Sequence, residues 1–235
     1  MKLNTLGKKE KPAGNMMQRR QILNKNSGFM VREAYKTLRT NIHFSLRDSA
    51  CKKFCITSGT AGEGKSITLL NLAISFAESG QKVLLIDADL RRPAIARLLV
   101  EKATPGLSNV LAGLSNIEEA IRPEVYPNLD ILFSGDIPPN PSELLGSEKF
   151  ETLIKQLSNQ YDYIMVDTPP VNVVSDACLV SKLVDGVLLL VRQEKSTKET
   201  VRQAVSNLQL VEAKILGFVL NGVTVVQKKN YGYYD

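Results

Sequence analysis

The sequence is poor in the residues that build disulfide frameworks, metal clusters and membrane spans. It has three cysteines (Cys51, Cys55 and Cys178) and a single histidine, His43. A sparse, odd set of cysteines excludes a disulfide framework, and Cys51 and Cys55 lack metal-ligand spacing. No uncharged apolar run approaches the roughly 18 residues of a membrane span, and the polar N-terminus has no signal-peptide pattern. These absences predict a cytoplasmic protein with buried thiols, in which His43 is an ordinary helix residue.

The charge is unevenly distributed along the 235 residues, which carry a net charge of +6. Residues 1–28 lack hydrophobic periodicity and contain a lone acidic residue, Glu10, among many lysines and arginines. We interpret this segment as a flexible basic arm. Such an arm is either simply solvated or in contact with an anionic neighbour, and the sequence leaves both alternatives open. No nucleic-acid-binding module accompanies the arm, so we expect no nucleic-acid partner.

A glycine-rich loop from Gly59 to Ser66 lies between an apolar, strand-like run (54–57) and a helix-like run (67–74). Strand, glycine-rich loop and helix together are the context of a phosphate-binding P-loop. Glycines let backbone N–H groups turn inward around phosphates, Lys65 reaches the β- and γ-phosphates, and the Ser66 hydroxyl ligates Mg²⁺. The alternative is a plain turn with an exposed lysine. The predicted nucleotide contacts are Gly59, Thr60, Ala61, Gly62, Glu63, Gly64, Lys65, Ser66 and Ile67.

Acidic residues follow two apolar runs that have the character of buried parallel strands. The run at 83–86 leads to Asp87 and Asp89, and the run at 163–166 leads to Asp167. Ligands of open α/β sheets bind beyond the carboxyl ends of the strands, which predicts that these carboxylates meet the nucleotide. One carboxylate would bind metal and another would accept a proton from an attacking hydroxyl. The alternative is that they cap the following helices.

Alternating strands and helices predict an α/β fold with a doubly wound, mostly parallel sheet. We expect one domain over residues 29–226, followed by a tail at 227–235. A last strand ends at Asn221, which either bonds a purine edge or forms a turn with Gly222. The other expected elements are a helix at 31–44, one that starts at 142, further helices at 148–159, 176–184 and 195–211, two short helices within 105–122, and strands at 128–133, 186–191 and 214–220.

Three of the seven tyrosines fall in the last five residues: Tyr231, Tyr233 and Tyr234. A chain terminus is usually mobile, so packing does not explain an aromatic cluster there. We interpret the cluster as a docking peptide or as a substrate.

Five stretches together resemble the bacterial tyrosine kinases (BY-kinases) that govern capsular and exopolysaccharide synthesis. The resemblance runs from about residue 30 to the C-terminus and is greatest to the separate kinase subunit of Gram-positive systems. The five stretches are a helix motif at 33–41, a Walker A loop at 59–66, a Walker A′ motif at 85–93, a Walker B motif at 164–170 in its D-[ST]-P-P form, and the tyrosine-rich tail.

The resemblance implies a P-loop NTPase-like fold that uses ATP and Mg²⁺. It implies that Lys65 binds phosphate, that Ser66, Asp89 and Asp167 support Mg²⁺, and that Asp87 orients or deprotonates the incoming tyrosine hydroxyl. Tyr231, Tyr233 and Tyr234 would be autophosphorylated in trans within a ring-like homo-oligomer that Glu33 and Arg39 help to form. A membrane-anchored activator, a polysaccharide co-polymerase, would hold the kinase at the inner face of the membrane, and other tyrosine-containing proteins would be substrates.

A second hypothesis is an ATPase switch of the MinD or ParA type that has no kinase activity. Those proteins share the fold and the Walker A and B motifs, but their P-loop begins with a lysine where this chain has Thr60. The chain also departs from the BY-kinase pattern. Lys36 stands in the helix motif at 33–41 where those kinases usually have an arginine, so the oligomer contacts expected of this helix lose a bidentate donor.

Overall fold

The computed structural model describes residues 21–46 and 51–223, which fold into one sheet flanked by helices. The strands are β1 (Lys52–Ser58), β2 (Val83–Asp87), β3 (Ile121–Tyr126), β4 (Leu129–Leu132), β5 (Tyr163–Asp167), β6 (Gly186–Arg192) and β7 (Ile215–Asn221). The helices are α1 (Phe29–Ser45), α2 (Lys65–Ala77), α3 (Ile95–Leu99), α4 (Leu107–Leu111), α5 (Ile117–Ala120), α6 (Pro141–Leu145), α7 (Glu148–Leu157), α8 (Asp176–Ser181) and α9 (Lys198–Gln209).

The strand order is β3-β4-β2-β5-β1-β6-β7, and every neighbouring pair except β3 and β4 is parallel. This confirms the predicted doubly wound, mostly parallel sheet. Strand β1 lies between β5 and β6, so the loop after β1 leaves the middle of the sheet. The register pairs Asp87 at the end of β2 with Asp167 at the end of β5. Both acidic strand ends therefore stand side by side at the edge where α/β proteins bind ligands.

Both faces of the sheet are buried, which explains why its inner strands are continuous apolar runs. Helices α1, α2 and α3 cover one face, where Phe54, Phe76 and Tyr163 are among the buried side chains. Helices α4, α6, α7, α8 and α9 cover the other face, where Phe150 of α7 is fully buried. In the inner strands, alternate residues contribute to the two cores.

Residues 121–126 correct the sequence prediction, which ended a helix at 122 and placed no strand there. They form β3, an antiparallel edge strand on β4. The hairpin turns at Asn128, which has a positive φ of 64°, a conformation that asparagine tolerates better than most residues. Helices α8 and α9 are also shorter than predicted. The hydroxyl of Thr197 accepts the backbone N–H of Thr200 and so fixes the start of α9.

Helix α1 packs on α2, and the chain just before it does the same. The Leu23 N–H donates to the side-chain oxygen of Asn71 at 2.8 Å, and the Asn71 amide donates to the Tyr35 hydroxyl at 3.1 Å. Leu23 is buried, so residues 21–28 do not belong to the flexible arm that the sequence predicted at 1–28. The rest of that arm and the tail at 227–235 lie outside the described residues. Among those that are described, no helix is both long enough and apolar enough to cross a bilayer.

Replacing Phe150 with alanine tests the core on the α7 face of the sheet. We expect Phe150→Ala to lower the free energy of unfolding by about 3–5 kcal/mol, because it removes a fully buried ring and leaves a cavity. The matched control is Phe29→Ala, since the Phe29 side chain is 71% exposed. Urea titration of both variants measures the difference. Equal losses in the two variants would contradict this description of the core.

Candidate functional site

A cleft of about 1120 Å³ opens at the carboxyl edge of the sheet and contains the glycine-rich loop. The loop joins β1 to α2, and its Gly62 and Gly64 have φ values of 75° and 101°. A Cβ atom on Gly64 would collide with the side-chain nitrogen of Asn221. These positions therefore need glycine on both conformational and steric grounds. The cleft is lined by Gln21, Ser27, Gly28, Val31, Tyr35, Ala61, Gly62, Gly64, Lys65, Ser66, Ile67, Thr68, Asn71, Asp89, Arg91, Arg92, Ala94, Arg97, Leu98, Pro169, Pro170, Val173, Val174, Arg192, Asn221 and Gly222.

Lys65 and Ser66 begin α2, where the helix dipole and unpaired N–H groups favour an anion. The Lys65 side chain is buried, and its charge opposes the rise that burial causes in the pKa of Asp167. The Ser66 hydroxyl has the same effect on Asp167. The structure thus brings together three residues that the sequence assigned separately to phosphate and to metal.

Asp167 is fully buried, and neither of its carboxylate oxygens has a hydrogen-bond partner among the described residues. Burial raises the pKa of Asp167 to about 6, against the smaller opposing effects of Lys65 and Ser66. Two orphaned carboxylate oxygens are costly unless a cation or a donor reaches them. The residues therefore fit a magnesium ion, which prefers oxygen ligands.

The protein alone does not provide a full set of metal ligands. Within residues 21–46 and 51–223, no group of three or more His, Cys, Asp and Glu side chains is arranged to hold a metal ion. Magnesium usually keeps several waters and takes other oxygens from substrate phosphates, so one carboxylate and one hydroxyl suffice from the protein. The donor set is that of a metal that arrives with a nucleotide.

Asp87 is also fully buried, and burial followed by the charge of Asp167 raises its pKa well above the ordinary value. Its two oxygens accept the N–H groups of Asp89 at 3.3 Å and of Ile95 at 3.1 Å. Asp89 accepts the N–H of Arg92 at 3.0 Å and lines the cleft. The alternative that these aspartates cap the following helix is thus partly right, because Asp87 accepts the N–H of Ile95 at the start of α3. Both Asp87 and Asp89 accept backbone N–H groups, but only Asp89 also lines the cleft.

The remaining predicted nucleotide contacts lie on or beside the loop. The Thr60 hydroxyl donates to the buried carboxylate of Glu63 at 2.6 Å, an interaction internal to the loop. Ile67 lines the cleft one position beyond Ser66. The Asn221 amide nitrogen donates to the Glu63 carbonyl at 2.8 Å, so the last strand ends against the loop. Their contacts with a nucleotide stay predictions.

Of the two predicted oligomer contacts, Glu33 forms an exposed ion pair with Lys36 at 2.7 Å. Arg39 donates instead to the Ser75 carbonyl of α2 within the same chain. Their roles between subunits stay predictions. The predicted phosphorylation sites Tyr231, Tyr233 and Tyr234 lie outside the described residues.

Sequence reasoning missed several side chains that shape the cleft. Arg91 forms an ion pair with the buried Asp176, with 2.9 Å between Nε and Oδ2, and Asp176 also accepts the Ser142 hydroxyl at 2.7 Å. Arg192 and Lys195 reach the glycine-rich loop from the end of β6. Arg91 lies within the Walker A′ motif, but nothing in the sequence marks its partner Asp176 or the contacts of Arg192 and Lys195, because each contact spans a long separation along the chain.

Replacing Asp167 with asparagine tests whether its buried charge opposes folding. Because the folded-state pKa is raised to about 6, the folded chain holds the proton more tightly than the unfolded chain, whose pKa is about 3.9. Stability from this group is therefore greatest at low pH and is lost as the pH rises through about 6. We expect Asp167→Asn, without nucleotide or metal, to be more stable than wild type at pH 8, by on the order of 1 kcal/mol, and the difference to shrink near pH 5.

Asp136→Asn provides a control of opposite sign. Hydrogen bonds from Asn109 and Thr104 lower the pKa of Asp136, so its charge stabilises the folded state above the ordinary pKa. We expect this variant to lose stability at neutral pH and to match wild type in acid. Thermal unfolding in a chelator measures both variants. An Asp167→Asn protein less stable than wild type at pH 8 would contradict the interpretation.

Comparison with known proteins places this geometry in a family. A family model described as an AAA domain matches residues 51–219. The tyrosine-protein kinase YwqD of Bacillus subtilis (strain 168) is 41% identical over 224 residues, which cover 95% of this chain and 94% of the relative. The solved kinase domain of the Escherichia coli tyrosine kinase ETK is 34% identical with a TM-score of 0.80, over 91% of this chain and 87% of that domain.

The MinD alternative also has a structural counterpart, at lower similarity. MinD of Pyrococcus horikoshii OT3, solved as a complex with Mg-ADP, is 28% identical with a TM-score of 0.61, over 72% of this chain and 70% of that protein. The shared fold explains this likeness, while the greater identity and coverage of the kinases confirm the resemblance seen in the sequence motifs. The chain belongs to the family of bacterial tyrosine-protein kinases.

Proposed function

We propose that this protein is an ATP-dependent protein-tyrosine kinase that phosphorylates tyrosines in its own C-terminal tail. The observation that carries the proposal is a cleft lined by a glycine loop, a buried lysine and Asp89, beside the buried strand-end carboxylates of Asp87 and Asp167. Phosphoryl transfer requires mainly alignment and charge neutralisation, and these residue types supply both. Membership of the kinase family supports the same reaction.

At the nucleotide end of the cleft, the loop and the start of α2 would bind the phosphates and the metal. The N–H groups of the loop and the Lys65 ammonium would hold the β- and γ-phosphates of ATP. Ser66 and Asp167 would hold Mg²⁺, which leaves Asp89 at the cleft wall free to meet the acceptor. When bound, Mg²⁺ neutralises charge on the phosphates. Lys65 also balances part of the negative charge of the buried carboxylates while the nucleotide is absent.

The acceptor end of the cleft favours Asp89 as the carboxylate that meets the tyrosine hydroxyl. Asp89 lines the cleft, whereas Asp87 is buried with both oxygens engaged by backbone N–H groups. In the proposed step the tyrosine oxygen bonds to the γ-phosphorus, the bond from that phosphorus to the bridging oxygen breaks, and ADP leaves. The hydroxyl proton passes to Asp89. Asp87 positions the turn that carries Asp89.

The acceptor tyrosines would be Tyr231, Tyr233 and Tyr234, which resemble the tail cluster of the family. We propose that they enter the cleft of a neighbouring subunit in a homo-oligomer, with Glu33 and Arg39 near the contacts. A membrane-anchored activator would bring the protein to the inner face of the membrane, and other tyrosine-containing proteins would be substrates. In this role the kinase regulates capsular or exopolysaccharide synthesis.

Intact-mass spectrometry after incubation with ATP and Mg²⁺ tests the proposal. We expect additions of phosphate in the wild type and none in a variant with Tyr231, Tyr233 and Tyr234 replaced by phenylalanine. The incubation is repeated with a peptide from the cytoplasmic end of the activator. ATP hydrolysis without any mass change, activator included, would favour the ATPase-switch hypothesis instead.

A mixing control separates transfer between subunits from transfer within one chain. Lys65→Met keeps the tail tyrosines and removes the phosphate-binding ammonium, so alone it should gain no phosphate. Mixed with the tyrosine-free variant, it should become phosphorylated, because each chain then lacks what the other has. Phosphorylation that never appears in the mixture, while wild type is modified, would contradict transfer in trans.

A further inference from the structure

Three side chains from the far edge of the sheet hold backbone carbonyls of the glycine-rich loop. They come from the ends of β6 and β7, more than a hundred residues after the loop, and they donate to three consecutive backbone carbonyls. We call these three residues the outer clamp. The contacts are Lys195 Nζ to Ala61 O at 2.7 Å, Arg192 Nη1 to Gly62 O at 3.2 Å, and Asn221 Nδ2 to Glu63 O at 2.8 Å.

Each clamped carbonyl belongs to the same peptide unit as the next residue's N–H group. A donor on the oxygen polarises the whole unit and makes its N–H a stronger donor. The N–H groups affected are those of Gly62, Glu63 and Gly64, the middle of the loop. None of the three donates a hydrogen bond to another described residue. They are therefore free to bind a ligand, and the clamp fixes the direction in which they point.

Two of the clamp residues are cations that contact the loop and have no acidic partner among the described residues. Arg192 and Lys195 are both exposed, and neither forms an ion pair with an acidic side chain in the described part of the chain. A carbonyl oxygen carries no net charge, so Arg192 and Lys195 keep their positive charge beside the loop while they donate to it. The glycine at 62 permits the approach, because a Cβ there would lie 2.7 Å from the Lys195 ammonium.

The third clamp residue, Asn221, makes two contacts within the protein. The sequence suggested that Asn221 bonds a purine edge or forms a turn. Its amide nitrogen is engaged by the Glu63 carbonyl, and its amide oxygen accepts the Gly222 N–H at 2.8 Å. Both polar ends of the side chain therefore have a partner within the protein; the contact with Gly222 supports the turn, and the contact with a purine edge stays a prediction. This arrangement assigns Asn221 to the loop.

We propose that Lys195, Arg192 and Asn221 are positioning residues that set the phosphate affinity of the glycine-rich loop. They act through the backbone, by holding the loop carbonyls outward and strengthening the inward N–H donors. The ligand class is a polyphosphate chain, and the nucleoside is not required. This inference rests on the proposed nucleotide binding and deepens it, but it does not depend on transfer to tyrosine.

Calorimetric titration of the full chain with Mg-ADP and with inorganic tripolyphosphate tests the clamp, since tripolyphosphate has neither base nor ribose. We expect Lys195→Gln, Arg192→Gln and Asn221→Ala each to weaken both ligands by about threefold to tenfold, in the same proportion. Lys195→Arg keeps a charged donor and should recover most of the affinity. The matched control is Lys198→Gln, which removes an exposed charge from the first turn of α9. Unchanged melting temperatures should accompany the losses.

Several outcomes would overturn the proposal. Unchanged affinity in the clamp variants would do so, as would a wild type that binds neither ligand. An equal loss in Lys198→Gln would attribute the effect to general charge. If Asn221→Ala loses affinity for Mg-ADP but not for tripolyphosphate, the hypothesis that Asn221 contacts the base would be favoured instead. A protein that binds both ligands through the clamp but never modifies tyrosine would overturn the proposed kinase function and support the clamp.

Discussion

The structure depends on how negative charge is held at the carboxyl edge of the sheet. Asp87 and Asp167 end neighbouring parallel strands in register, which places their backbones roughly 5 Å apart and buries both carboxylates. Within the described residues the Asp167 carboxylate has no hydrogen-bond partner, and Lys65 offsets only part of its charge. Such a cluster opposes folding on its own. Its presence is understandable if a cation and phosphates complete it, and the glycine loop beside it is built to hold phosphates.

The surrounding elements serve to keep this edge in place. Asp87 is linked to the start of α3 through the Ile95 N–H, and Asp89 closes the turn between them. Arg91, on the same turn, reaches the buried Asp176 at the start of α8, which connects the turn to the opposite layer of helices. The carboxylates that were expected to serve either chemistry or structure make structural contacts, and their part in the chemistry stays a prediction. A buried site of this kind gains precision from contacts that also stabilise the fold.

Sequence predicted the inner strands and the residues at their ends because both are local signals. Buried parallel strands are continuous apolar runs, and an aspartate that ends such a run must lie at the ligand edge. Strand β3 was missed, since Pro123 and Glu124 break its pattern and only pairing with β4 defines it. The outer clamp was missed for a related reason. Arg192 and Lys195 contact the loop across about 130 residues, and exposed basic residues carry no mark of such a partner.

The most direct test of the central claim is the Mg²⁺ dependence of ADP affinity in wild type and in Asp167→Asn. If the orphaned carboxylate is held for a metal that arrives with phosphates, Mg²⁺ should tighten ADP binding in wild type. That gain should fall by about 10-fold to 100-fold in the variant, while the metal-free affinity stays the same or improves. An equal increase in ADP affinity from Mg²⁺ in both proteins would contradict the claim. Asp167 would then be a buried charge that does not bind the metal.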